Sequence, residues 1–96
     1  MDDTQKWTTQ KEEHPLGSLV QGKVLKLAPF GVFLALDGVD FPAVLLVTHF
    51  EDNGRGRELD EYPRVGEVVS AVIVGFVDDN RQVRVSTRIS DMERSI

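Results

Sequence analysis

The sequence contains no cysteine among its 96 residues. This absence excludes disulfide bridges, thiolate catalysis and cysteine-based zinc sites. Long hydrophobic runs are missing too, since no apolar stretch approaches the roughly 18 residues of a membrane span. The N-terminus is polar and acidic, so we expect no signal peptide. A length of 96 residues predicts one domain, and these absences favour a protein that works in the cytoplasm without contact with a membrane.

Positive charge is scarce as well. The chain has 11 Lys and Arg against 16 Asp and Glu, which gives a net charge of −5. This balance counts against a strong, non-specific grip on a polyanion, because clustered cations provide that affinity. Within residues 14–89, however, the acidic residues crowd into residues 51–61, and cations occupy strand or turn positions elsewhere: Lys23, Lys26, Arg81, Arg84 and Arg88. One side of the folded body can therefore be basic although the total is acidic.

Candidate catalytic groups are few and scattered. The two histidines, His14 and His49, have no Ser, Cys or ligand cluster at a usable spacing. Asp78 and Asp79 sit in a turn, where carboxylates commonly stabilise the backbone. No phosphate loop or zinc pattern is present in the sequence. We therefore expect a protein that is not an enzyme and that holds no cofactor and no metal.

Hydrophobic alternation predicts five β-strands, near residues 18–28, 30–37, 43–48, 67–77 and 82–87. Val83 and Val85, for example, alternate with polar neighbours, and Asp37-Gly38 is a turn signal of the hairpin kind. Five short strands with one long connection predict an all-β fold. We expect a five-stranded antiparallel barrel with a short helical turn or a long loop between the third and fourth strands.

Aromatic residues cluster at the bend between the first two strands. Pro29 breaks the first strand, and Gly31 gives the backbone freedom to re-aim Phe30. On one face of the second strand, Phe33 stands between Gly31 and Ala35, which makes a poor core layer but a good platform for a flat ligand. From the residues alone, core packing explains Phe30 and Phe33 equally well.

The third strand and the two termini leave alternatives open. The run from residue 43 to 48 is apolar on both faces, which indicates either coverage on both sides or an exposed apolar patch. Residues 1–15 are expected to form a flexible tail, either disordered or a frayed helix, with the alternative that Trp7 folds back onto the barrel or anchors a partner. Residues 89–96 form a second tail. Within the long connection, residues 53–56 are expected to be mobile and residues 57–61 to form a helical turn.

An ordered set of short motifs runs through the body of the chain. The pattern G-x-V, then F-G-x-F-x-x-L, then V-G-x-x-V and V-R-V-S-x-R resembles the S1-type RNA-binding domain. The matching residues are Gly22, Val24, Phe30, Gly31, Phe33, Leu36, Gly66, Val69, Val83, Val85, Ser86 and Arg88. The resemblance covers residues 16–88 and implies an OB-fold barrel that binds single-stranded RNA.

The resemblance also implies a set of site residues. Phe30 and Phe33 would stack on bases, and Asp78 lies at the family's Asp position or one residue past it. Leu46 stands where the family commonly has a histidine, and Gln82 where it has an arginine. The stacking half of the site is thus intact and the polar half is altered, so binding is expected to be weak. Cations that would meet phosphates are Lys23, Lys26, Arg81 and Arg84.

Two functional hypotheses follow. The first is a monomeric RNA-binding module that acts in translation or RNA metabolism, with the ribosome or an RNA-processing protein as a further partner. The second is a protein-interaction module on the same barrel, which would use an apolar surface around Phe33, Val44 and Leu46.

Overall fold

The computed structural model describes residues 2–50 and 62–93. Within these residues, five strands close into a barrel in the order β1-β2-β3-β5-β4. The strands are β1 (Leu19–Ala28), β2 (Gly31–Leu36), β3 (Ala43–Leu46), β4 (Val68–Val77) and β5 (Gln82–Ser86). Helix α1 (Asp3–Glu13) precedes the barrel, a 3-10 turn (Val47–His49) follows β3, and helix α2 (Ile89–Met92) follows β5. The predicted five-stranded all-β barrel is confirmed.

One strand pairing departs from the predicted antiparallel pattern. β3 and β5 run parallel, with Val44 opposite Arg84 and Leu45 opposite Val85, whereas the other four pairings are antiparallel. The parallel pairing closes the barrel between two strands that are not consecutive in the chain. Alternation along a strand indicates which residues face inward, but it carries no information about which strand lies beside it.

The barrel interior is filled by alternate apolar residues, as expected for strands with one wet face. Large side chains at the centre of this core are Val24, Val32, Leu34, Leu45, Ile73, Val83 and Val85. The third strand differs because Val44, which faces outward between Ala43 and Leu45, is only 1% exposed. Its neighbours across the sheet, Phe33 and Arg84, lie on either side of it. Of the two alternatives for this strand, coverage on both sides therefore holds at Val44, and an exposed apolar patch does not.

The bend between β1 and β2 depends on Gly31. Its φ of +157° lies in a region that residues with a Cβ rarely adopt. A Cβ at this position would also lie 2.2 Å from the carbonyl oxygen of Leu45. The absence of a side chain thus lets β2 approach β3 closely at the point where Phe30 leaves the barrel.

The predicted flexible tail is wrong for most of its length, because Asp3–Glu13 forms helix α1. A capping box starts the helix: the side chain of Asp2 accepts a hydrogen bond from the Gln5 N–H, and the Gln5 side chain accepts one from the Asp2 N–H. Trp7 packs edge-on against Phe41 and Phe76 and is only 4% exposed. An isolated helix of this length is marginal in water, so packing of Trp7 against the barrel stabilises it.

Polar contacts also hold α1 to the barrel. The side-chain amide of Gln10 donates to the Asp40 carboxylate at 2.9 Å and accepts from the Asp40 N–H at 2.9 Å. On the β4–β5 turn, the Asp78 carboxylate accepts from the Trp7 Nε1–H at 2.8 Å. These bonds fix the position of the helix along the barrel end that contains the β2–β3 and β4–β5 connections.

Two predictions on the long connection fall on residues 51–61, which lie outside the described residues. These are the mobility of residues 53–56 and the helical turn at residues 57–61. Tyr62, the first described residue after this segment, packs against Phe50 with ring centroids 5.0 Å apart. The Tyr62 hydroxyl donates to the carbonyl of Pro29 at 2.8 Å. This bond steadies the bend that carries Phe30.

The second predicted tail, residues 89–96, opens with the short helix α2 at Ile89–Met92. Over the described parts of the chain, no helix has both the length and the apolar character needed to cross a membrane.

Candidate nucleic-acid interface

A row of paired residues crosses four strands on the outer surface of the barrel. Lys26 of β1 lies opposite Phe33 of β2, Phe33 lies opposite Val44 of β3, and Val44 lies opposite Arg84 of β5. Directly opposed residues share a face of the sheet, and their Cβ atoms lie close enough for the side chains to interact. The row therefore brings a lysine, an aromatic ring and an arginine together over the buried Val44.

Phe30 extends this row at the β1–β2 bend. Its side chain is 52% exposed, and Phe33 is half-buried. The two rings form an edge-to-face pair with centroids 5.7 Å apart and planes at 83°. Both rings thus present surface to solvent, and mutual contact restricts their orientation.

Lys26 reaches the outer surface because of a β-bulge. The register of β1 against β2 shifts between Val24 and Lys26, and both Leu25 and Lys26 are exposed. Without the bulge, strict alternation would turn Lys26 toward the core. Lys23 is also exposed on β1, but it lies opposite Ala35, beside Phe33 rather than in its row.

Arg84 is held in place by its neighbour on β5. Its Nε–H donates to the Gln82 side-chain oxygen at 2.8 Å. Gln82, which the sequence resemblance places at the family's arginine position, therefore orients another arginine two residues later. Leu46 is half-buried opposite Gly31, so it borders Phe30 on the same surface. We call the surface formed by Lys26, Phe30, Phe33, Leu46 and Arg84 the aromatic face.

Asp78 and Arg81 make their contacts elsewhere. The Asp78 carboxylate accepts hydrogen bonds from Trp7 and, at 2.9 Å, from the Lys11 ammonium. The bond from Lys11, followed by that from Trp7, lowers the pKa of this carboxyl. Arg81 donates to the Thr4 hydroxyl at 2.8 Å. Among the described residues, the side-chain partners of Asp78 and Arg81 thus lie on α1, and a role in RNA binding stays a prediction for both.

A cleft of about 590 Å³ adjoins the aromatic face where Leu46 and Arg84 border it. His49, Arg88 and Asp91 also line this cleft. His49 reaches the cleft because β3 ends at Leu46 and the 3-10 turn redirects the residues that follow. Arg88 is the last residue of the V-R-V-S-x-R motif, and the resemblance assigned it no role. Its spacing of four residues from Arg84 was the only signal in the sequence that linked the two arginines.

Burial lowers the pKa of His49, and the positive charge of Arg88 lowers it further against the opposing effect of Asp91. The unfolded chain keeps the ordinary value near 6.5. As the pH falls through 6.5, the unfolded state therefore takes up a proton that the folded state resists, and stability decreases. We expect the melting temperature to drop more between pH 7.5 and pH 5.5 in the wild type than in His49→Gln.

This comparison is made by thermal unfolding of both proteins in the same two buffers. Equal drops in the wild type and in His49→Gln would show that His49 does not carry this pH dependence.

The geometry can be compared with known proteins. Residues 13–88 match the sequence profile described as the S1 RNA binding domain. The chain belongs to the S1 RNA-binding domain family. The match covers every strand of the barrel together with the aromatic face.

Individual relatives agree with this assignment. The small ribosomal subunit protein bS1 of Rhodopseudomonas palustris is 30% identical over 87 residues, which cover 91% of this chain and 15% of that protein. Its counterpart in Rhizobium meliloti is 32% identical over 88 residues, covering 92% of this chain and 15% of that protein. The chain thus spans about 15% of the length of these relatives.

A solved structure is similar in fold. The intact alpha subunit of aIF2 from Pyrococcus abyssi superposes with a TM-score of 0.66 at 22% identity, over 76% of this chain and 28% of that one. The S1 barrel observed here therefore has the same architecture as part of that subunit.

The S1 domain offers no group of metal ligands in the part of the chain that is described, since no three His, Cys, Asp or Glu side chains cluster there. What the aromatic face offers is two partly exposed rings, flanked by an ammonium and a guanidinium group. This combination suits an anionic polymer that carries flat bases, because the rings can stack on the bases while the cations contact the phosphates.

Proposed function

We propose that this S1 domain binds single-stranded RNA on the aromatic face, with bases stacked on Phe30 and Phe33 and phosphates at Lys26 and Arg84. The observation that carries this proposal is the row in which Lys26, Phe33 and Arg84 are paired across neighbouring strands. Base–aromatic stacking contributes roughly 1–3 kcal/mol per base and tolerates any sequence.

The ring geometry supports an unpaired strand as the ligand. The planes of Phe30 and Phe33 meet at 83°, so two bases that stack on them are nearly perpendicular to each other. Successive bases in a duplex are parallel, and its grooves hide or blur their edges. Only a strand that is free to unstack between two nucleotides fits both rings.

The local charge supports the same ligand despite the net charge of −5. Lys26 and Arg84 belong to the aromatic face, whereas Asp40 and Asp78 lie among the contacts to α1. The total charge opposes the approach of a polyanion, which limits affinity and association rate. Lys23 stands beside the row and can add a further phosphate contact.

Salt dependence tests this arrangement. Each phosphate that a cation neutralises contributes about 0.7 to the slope of log K against log salt concentration for a single strand. We expect Lys26→Gln to weaken binding of an oligouridylate and to reduce that slope by about 0.7. Fluorescence anisotropy titrations at several salt concentrations give both quantities.

The matched control is Lys6→Gln, which removes the same charge from α1. Lys6 lies 3.6 Å from Asp40 and away from the aromatic face, so its slope is expected to equal that of the wild type. Equal slopes for Lys26→Gln and the wild type would contradict a phosphate contact at Lys26.

The protein-interaction alternative has less support. It relied on an apolar surface of Phe33, Val44 and Leu46, but Val44 is 1% exposed and offers no contact area. The remaining surface at Phe33 and Leu46 is flanked by charged groups that suit a polyanion better than an apolar partner.

The cellular process in which this RNA binding acts is proposed from similarity to known proteins. Similarity to a small ribosomal subunit protein supports action in translation or RNA metabolism, in the cytoplasm, with the ribosome or an RNA-processing protein as a further partner. We propose that the domain is a monomer and contributes binding rather than catalysis, without a cofactor.

A further inference from the structure

The cleft beside the aromatic face has two kinds of wall. Leu16, Leu46 and Val74 provide apolar surface, and His49, Arg84, Arg88 and Asp91 provide polar groups. Its volume of about 590 Å³ falls within the range of roughly 300–1,000 Å³ that small-ligand sites occupy. Apolar walls with a few fixed polar groups are the usual composition of such sites.

Both arginines are held through their Nε–H groups, which leaves the two Nη groups at the end of each guanidinium available to a ligand. The Arg88 Nε–H donates to Asp91 Oδ2 at 2.7 Å, as the Arg84 Nε–H does to Gln82. The Nη groups of the two arginines form no hydrogen bond to any residue in the described ranges. The cleft therefore contains two guanidinium groups with unused donors, those of Arg84 and Arg88, and one carboxylate, that of Asp91. Guanidinium donors match the geometry of a phosphate group.

The support behind Arg88 is fixed. Ser86 is fully buried, its hydroxyl donates to Asp91 Oδ2 at 2.7 Å, and its oxygen accepts from the Arg88 N–H at 3.1 Å. Since Arg88 is positioned before any ligand arrives, binding there loses little side-chain entropy. His49 is largely uncharged at neutral pH because burial and Arg88 lower its pKa, so the positive charge belongs to the two arginines.

We propose that this cleft binds one further nucleotide of the same RNA strand, with its phosphate on Arg84 and Arg88 and its base against Leu16 and Val74. The proposal rests on the proposed function and extends it. Leu46 and Arg84 border both surfaces, so a strand that leaves Phe33 can continue directly into the cleft. The domain would thus hold three consecutive nucleotides.

The test compares two probes: the dinucleotide uridylyl-uridine, which covers only the two rings, and an eight-residue oligouridylate, which also reaches the cleft. Leu16→Glu places a carboxylate in the apolar wall, outside the bonds that join Ser86, Arg88 and Asp91. Its matched control is Leu19→Glu, because Leu16 and Leu19 are 55% and 56% exposed and Leu19 does not line the cleft. Arg88→Gln removes the charge directly, and its melting temperature reports whether the support survives.

We expect Arg88→Gln to weaken octamer binding by about tenfold, the effect of one lost charge-assisted contact. Leu16→Glu should weaken it by a similar factor, because the new carboxylate repels the phosphate and disrupts the apolar wall. Dinucleotide binding, followed by amide chemical shifts, should stay within about twofold of the wild type. Leu19→Glu should change neither. Octamer affinities of Leu16→Glu equal to those of Leu19→Glu would overturn the cleft site, while the proposed function stands if Phe33→Ala still weakens both probes. If Phe33→Ala weakens neither probe, both proposals are wrong.

Discussion

Replacing Trp7 with alanine is expected to lower the free energy of unfolding by about 3–5 kcal/mol, as for other buried aromatic residues. The variant loses packing against Phe41 and Phe76 and the hydrogen bond to Asp78. Without Trp7, α1 has few apolar contacts of its own, so the helix should separate from the barrel and unfold. Urea unfolding followed by circular dichroism measures the stability, and amide exchange over Asp3–Glu13 reports the helix.

Two variants serve as controls for this prediction. Trp7→Phe keeps an aromatic ring but removes the Nε1–H donor to Asp78, so it should cost about 1–3 kcal/mol. Thr8→Ala changes an exposed residue of the same helix and should stay within about 0.5 kcal/mol of the wild type. A loss below about 1 kcal/mol in Trp7→Ala would show that α1 contributes little to the fold.

Replacing Phe33 with alanine is expected to weaken single-stranded RNA binding by roughly 1–3 kcal/mol while the protein remains folded. Phe33 lies on the outer surface over Val44 and is only half-buried. Its stability cost should therefore be smaller than the 3–5 kcal/mol typical of a core phenylalanine. Melting temperature and oligouridylate affinity, measured on the same preparation, separate the two effects.

Phe30→Ala sharpens this experiment because the ring is more exposed than that of Phe33. It should lose a similar share of affinity with less change in stability. Leu19→Ala, an exposed apolar residue outside the aromatic face, should alter neither quantity. Lost stability with unchanged affinity in Phe33→Ala would contradict the stacking role and favour a purely structural one.

The barrel could be predicted from the sequence because each strand carries its own alternation. Val83 and Val85 face inward and Gln82 and Arg84 outward, as their parity indicates. The parallel pairing of β3 with β5 could not be predicted this way, since it depends on how the barrel closes. Nor could parity decide what covers Val44, because that coverage comes from side chains on two other strands.

The sequence contains a start signal for α1 that an analysis of hydrophobic periodicity does not detect. Its only large apolar residue is Trp7, so no apolar stripe is visible along residues 3–13. Asp2 and Gln5, three residues apart, nevertheless form a capping box, which is a start signal that can be found in a sequence. The distant partner Asp78 could not be found in that way.

The sequence indicated the aromatic residues of the candidate site more clearly than the positions of its charged residues. Phe30 and Phe33 were identified from the motif and the parity of small neighbours. The bulge that turns Lys26 outward and the 3-10 turn that brings His49 to the cleft are local departures from regular strand geometry. Neither departure has a distinctive residue pattern, so the order of residues did not indicate them.

The claim that RNA binds on the aromatic face can be tested residue by residue in an NMR titration with a short oligouridylate. Backbone amides of β2 and β3, with those near Lys26 and Arg84, should shift in proportion to bound RNA. Amides of α1 should stay unchanged, because this helix packs at the end of the barrel around Asp40 and Asp78. Shifts concentrated on α1, or none at saturating RNA, would contradict the claim.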